Sequence, residues 1–127
     1  MKQISNGLVL FVVLSSVAAS AGASTVYPYC VRNTDGSGYC SGSFEAFRKS
    51  PDASDYATFY AYDHGYKYFA ARSKGLSCSC SPAYGSTAYG LWQSAMSNSG
   101  AFLIQWNSAG VCTNLALYNG SQYQSGW

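Results

Sequence analysis

Charge is what this chain has least of. Only 9% of its 127 residues are charged, seven Lys or Arg against five Asp or Glu, and neither sign forms a run. That leaves no electrostatic footing for a nucleic-acid partner, because phosphate binding needs Lys and Arg clustered on one face. Histidine is nearly missing too. His64 is the only one, so Cys78-Ser79-Cys80 has no second ligand pair to complete a metal half-site. The same motif is not the C-x-x-C of a redox strand–helix junction. Neither metal nor cofactor is implied. After residue 23 no apolar run approaches the roughly 20 residues a membrane helix takes. No internal repeat recurs at fixed spacing.

What is present begins with an export signal. Lys2 supplies a positive start, residues 7–17 hold the apolar run LVLFVVL, and Ala21-Gly22-Ala23 offers a small-residue cleavage site. The run is short for a bilayer span, and small residues follow it directly, which disfavours a membrane anchor. Residues 1–23 therefore read as a signal peptide, cut between Ala23 and Ser24. The expected location is periplasmic or extracellular. Cleavage would leave 104 of the 127 residues, enough for one small domain with a modest core.

All five cysteines, Cys30, Cys40, Cys78, Cys80 and Cys112, follow that cut. In an exported chain they predict disulfides. Cys30 and Cys40 flank the turn-rich segment Asn33-Thr34-Asp35-Gly36-Ser37-Gly38, which can bring their Cα atoms within bonding distance. Cys30–Cys40 is the first expected pair. One of Cys78 and Cys80 is expected to reach Cys112. The other is the odd thiol, and it opens a route to a disulfide-linked dimer.

Hydrophobic periodicity sets the remaining expectations. Residues 24–55 read as an extended, turn-rich lead with a short helix at Ser43–Lys49, capped by Ser43 and stopped by Pro51. Residues 56–118 read as a β-β-α-β-β core. Tyr56, Thr58, Tyr60 and Tyr62 alternate with Ala57, Phe59 and Ala61. Asp63-His64-Gly65 is a turn, and Tyr66 to Arg72 is the returning strand. Residues 73–85 read as loop. A helix follows from Ser86, with the stripe Ala88, Leu91, Trp92, Ala95 and Met96. Ala101–Trp106 and Val111–Tyr118 make a second hairpin. Residues 119–127 read as a polar tail, and Asn119-Gly120-Ser121 fits a glycosylation sequon. The predicted fold is α+β: an antiparallel sheet of about four strands with one amphipathic helix across it, stapled by disulfides.

Aromatics make up 17% of the chain, and twelve of them are tyrosine. With the Phe face of the first hairpin against the helix, Tyr60, Tyr62, Tyr66 and Tyr68 would share an open face. Tyrosine with Ser, Gly and Asn suits adaptable contact surfaces. The expected role is a binding or interaction module with a protein or carbohydrate ligand. The alternatives are a secreted antagonist of the toxin or bacteriocin kind, and a small hydrolase. The acid–base candidates Glu45, Asp52, Asp55 and the Asp63–His64 pair show no pairing in sequence, so no catalytic constellation is assigned. Net charge near neutral and no basic amphipathic helix argue against direct membrane attack.

Three segments carry a likeness to a known family. They are Tyr60-Ala61-Tyr62-Asp63-His64-Gly65, the helix from Ser86, and Phe102-Leu103-Ile104-Gln105-Trp106-Asn107 leading into Cys112-Thr113-Asn114-Leu115-Ala116. In this arrangement the second half resembles the small exported bacterial proteins catalogued as domain of unknown function 4189. The likeness covers roughly half to two-thirds of the chain after residue 23. It departs at the helix end, where such domains carry a cysteine and this chain has Met96 and Ser97. The resemblance implies a fold and an export route, and transfers no activity.

Overall fold

A computed structural model of the chain describes residues 27–123. The signal-peptide segment, the Ala23–Ser24 junction and the last four residues lie outside the described residues.

The sheet is larger than the sequence implies. It has seven strands, against about four expected, and it is mixed rather than antiparallel. β1 (Tyr29–Arg32) and β2 (Gly38–Ser43) form a hairpin inside the stretch expected as a lead. Asp35 accepts the N–H and hydroxyl of Ser37 at 3.0 and 2.6 Å and fastens its turn. Those bonds hold the Asp35 carboxyl below the usual carboxylate range. Ser43 then caps α1 (Phe44–Arg48), its Oγ accepting the Ala46 N–H at 3.1 Å.

β3 (Tyr56–Ala61) and β4 (Lys67–Ser73) are the expected first hairpin. Gly65, at φ +90°, makes its turn. β5 (Leu76–Pro82) occupies the segment expected as loop. α2 (Thr87–Ser97) follows, capped by Ser86, and β6 (Ala101–Trp106) and β7 (Val111–Tyr118) have the expected bounds. A 3-10 turn, Ser121–Tyr123, comes last.

β1 is only four residues long, within a stretch read as extended, and β2 and β5 carry few large or β-branched side chains, so none of the three was recognised as a strand. β5 reads Leu-Ser-Cys-Ser-Cys-Ser-Pro. It alternates, but with cysteine inward and serine outward, and packing rather than propensity makes it a strand. Two antiparallel units result, β1-β2-β6-β7 and β3-β4-β5, joined by a short parallel seam that pairs Ser81 with Val111 and Pro82 with Cys112. β1 also returns towards β4 and β5. Arg32 Nη1 donates to the Ser77 carbonyl at 2.9 Å.

The core lies between these units and α2. Phe59 sits at its centre, with ring centroids 4.9 Å from Phe69, 5.1 Å from Trp92 and 5.5 Å from Phe102. Trp92 is fully buried and donates Nε1–H to the Tyr60 carbonyl at 2.8 Å, fixing α2 to β3. Ala88 and Ala95 complete the buried stripe, while Met96 lies at its margin, 45% exposed.

The disulfides are Cys30–Cys40, across the first hairpin, and Cys80–Cys112, across the parallel seam. Both agree with the expected pairings. Cys78 is the free thiol and is buried. No helix among the described residues is long and apolar enough to cross a membrane.

Candidate functional site

Strand alternation places the tyrosines. Phe59, Phe69 and Ala71 point to the core, so Tyr60, Tyr62, Tyr66 and Tyr68 stand on the opposite face of the β3–β4 hairpin. Tyr60 and Tyr68 are direct cross-strand partners. Their centroids are 4.9 Å apart and their planes 12° apart, an offset stack. Tyr62 and Tyr66 repeat the arrangement at 6.0 Å and 24°. Along the strands the spacings are 6.4 Å for Tyr60–Tyr62 and 6.1 Å for Tyr66–Tyr68. The four rings are near-parallel, with 5° to 25° between the planes of these pairs.

That packing has two consequences. Each ring restricts its neighbours, so little side-chain entropy is left to lose on contact. The block offers ring surface together with hydroxyls. Tyr62 and Tyr66 are about half exposed, at 47% and 48%, and the inner pair is half-buried. Burial pushes the Tyr68 phenol up, and the neighbouring tyrosines add to the shift. The Tyr66 hydroxyl and Ser81 Oγ lie 3.2 Å apart, which ties the block to β5. His64 caps one end, its ring 5.7 Å from Tyr62 and 6.3 Å from Tyr66. Asp63 Oδ1 lies 3.6 Å from His64 Nδ1, and both side chains are exposed.

The acidic candidates meet elsewhere. Glu45, Asp52 and Asp55 border one cleft of about 520 Å³ between α1, the segment 49–55 and the β4–β5 turn, with Lys49 and Lys74 on its rim. Sequence gave no sign of this grouping, since the β4–β5 turn that completes it fell in a predicted loop. The carboxylates are engaged in local structure. Asp55 accepts the Ser50 hydroxyl at 2.7 Å and the Lys74 N–H at 3.2 Å. Asp52 accepts both donors of Ser54, which holds its carboxyl below the usual range. Glu45 pairs with Lys49 at 2.7 Å. A general acid near neutral pH needs a raised pKa, and the Asp52 shift runs the other way.

Cys78 lines a second hollow, of about 300 Å³, with Arg32 and Trp106. Burial pushes its thiol up, and the Arg32 guanidinium offsets part of that. A nucleophilic cysteine needs the reverse balance. Asn119 is exposed at the end of β7. Among the described residues no group of three or more His, Cys, Asp or Glu is placed to hold a metal ion.

Alternation puts Tyr56 on the face of Tyr60 and Tyr62, but neither Tyr56 nor Arg72 was singled out as part of the contact surface. They are cross-strand partners at its far end. Counting the hairpin register outward from Gly65 finds them. No family model, curated protein or solved structure matches the chain.

Proposed function

We propose that this chain is an exported binding module whose contact surface is the tyrosine face of the β3–β4 hairpin. The observation that carries the reading is the block of Tyr60, Tyr62, Tyr66 and Tyr68, pinned ring against ring on the face turned away from the core. Tyrosine is enriched at interfaces because it combines contact area with a hydroxyl. Here the four side chains serve no core, and their order comes from one another. The two disulfides fit export, as does the reading of residues 1–23 as a signal peptide. A disulfide-linked dimer would have to bring out Cys78, which is 6% exposed.

The test is the double variant Tyr60→Ser/Tyr68→Ser. It should keep both disulfides and the cooperative unfolding of the native chain, yet lose capture of whatever the wild type retains from its own culture fluid. The control Tyr84→Ser/Tyr118→Ser removes exposed tyrosines from other surfaces and should retain capture. Undiminished capture by the first variant would sink the reading.

A further inference from the structure

Ser73 ends β4 on the inward face, in line with the core residues Phe69 and Ala71. It is polar and only 4% exposed. Ser43, also buried, uses its hydroxyl to cap α1. Ser73 Oγ has no such use, because it has no hydrogen-bond partner among the described residues. Nor is it sealed off from solvent. Arg72 Nε is the one side-chain polar atom among the described residues that lacks both a partner and solvent. Ser73 lines the cleft of about 520 Å³, and its hydroxyl opens there. A hydroxyl so nearly buried is costly without a partner, and a molecule in the cleft would supply one.

Apolar surface and acidic groups make up most of the remaining lining. Tyr27, Pro28, Ala46 and Pro51 supply the apolar part. Three carboxylates stand against two ammonium groups. Glu45 and Lys49 pair with each other, which leaves Asp52 and Asp55 against Lys74, an excess of negative charge. The segment that carries both aspartates is braced. Ser50 donates to Asp55 and accepts the Asp52 N–H at 3.3 Å. Asp55 in turn accepts the N–H of Lys74, the residue after Ser73. A carboxylate has about four acceptor positions. Asp52 receives two donors, both on Oδ1, and Asp55 receives two, so each keeps acceptor capacity in a fixed place. A hollow of this size and lining suits a small organic ligand, and the charge excess suits a cation.

We propose that this cleft binds a small organic amine with an apolar body and a hydroxyl. Its ammonium donates to Asp52 and Asp55, its body packs on Tyr27, Pro28, Ala46 and Pro51, and its hydroxyl bonds to Ser73 Oγ. None of these residues belongs to the tyrosine block, so the site stands whether or not that block is a contact surface. An acid would meet the two aspartates with Lys49 already engaged. A plain hydrocarbon would leave Ser73 without a partner. An ammonium on a carboxylate makes the stronger, charge-assisted bond.

The probe is tyramine, titrated into the oxidised, isotope-labelled chain and followed by the backbone amide resonances. Phenethylamine lacks the hydroxyl, and para-hydroxyphenylacetate carries a carboxylate in place of the amine. Tyramine should shift the amides of residues 45–55 and 73–74. The acid should bind about tenfold more weakly or worse, and phenethylamine about fivefold more weakly, which reads the Ser73 bond without any variant. Ser73→Ala should weaken tyramine to the level of phenethylamine and leave phenethylamine unchanged, the mark of a direct pair. Asp52→Asn keeps an oxygen for Ser54 and should weaken both amines about threefold. Matching near-ultraviolet circular dichroism excludes misfolding of the variants. Tyr60→Ser/Tyr68→Ser should bind tyramine as the wild type does. No shift by about 10 mM tyramine, shifts centred on the tyrosine face, or equal binding of the acid overturns the proposal. Equal binding of the two amines by the wild type, or equal loss of both in Ser73→Ala, overturns it as well.

Discussion

Removing the Cys80–Cys112 bond should cost more than removing Cys30–Cys40, although the second pair sits in a tighter hairpin. The sequence separations are 32 and 10 residues. Loop-closure entropy then gives about 3.7 kcal/mol for the longer loop and about 2.7 kcal/mol for the shorter. The seam adds to the difference. β5 and β7 share only two paired positions, so without the bond little else ties β3-β4-β5 to the other unit at that point. The experiment compares Cys80→Ala/Cys112→Ala with Cys30→Ala/Cys40→Ala, both in a Cys78→Ala background so that the free thiol cannot re-pair. Urea unfolding supplies the free energies, and a steeper denaturant slope should accompany the freed denatured chain. The reasoning fails if the Cys30/Cys40 variant proves the less stable of the two, or if the Cys80/Cys112 variant stays within about 1 kcal/mol of its parent.

Three further outcomes follow from single side chains. Ser43 is buried and caps α1, so Ser43→Ala should lower unfolding free energy by about 1 to 2 kcal/mol, read by the urea midpoint. Trp92→Phe removes the bond to the Tyr60 carbonyl and leaves space in the core. It should cost roughly 2 kcal/mol and make α2 amides near Trp92 exchange faster with deuterium. Burial raises the Cys78 pKa above its unfolded value of about 9.0. Its contribution is therefore complete below that pH and is lost as pH climbs through the folded value. Stability should fall above about pH 9, less steeply in Cys78→Ala, with Tyr68 adding a loss of the same sign at higher pH. Alkylation of the native protein at pH 7 should be slow, and unfolding without reductant should admit one alkyl group.

Where periodicity was strong, the sequence was readable to the residue. β6 and β7 are apolar runs whose large side chains pair with one another, Phe102 with Leu117 and Ile104 with Leu115, and α2 announces itself by Ser86 and the Ala88–Trp92–Ala95 stripe. β5 was not readable because its inward side chains are cysteines, which a sequence reading first treats as chemistry. The end of the same strand makes the seam, with Cys80 bonded across it, so the topology was lost with the strand. The tyrosine face needed only the alternation of β3 and β4 and a Gly65 turn. The solitary donor on Arg72 needed more, because an orphaned Nε depends on what three strands fail to bring near it. The cleft joining Glu45, Asp52 and Asp55 depends in the same way on a turn between two strands, one of them unrecognised.

The most direct test of the tyrosine face is photocrosslinking in the producing cell. p-Benzoylphenylalanine replaces Tyr62, on the face, or Tyr84, which is 89% exposed in the connection between β5 and α2. The account predicts a discrete covalent adduct from Tyr62, its loss in the Tyr60→Ser/Tyr68→Ser background, and no adduct from Tyr84. An adduct from Tyr84 alone, or one from Tyr62 that persists in the double variant, would contradict it.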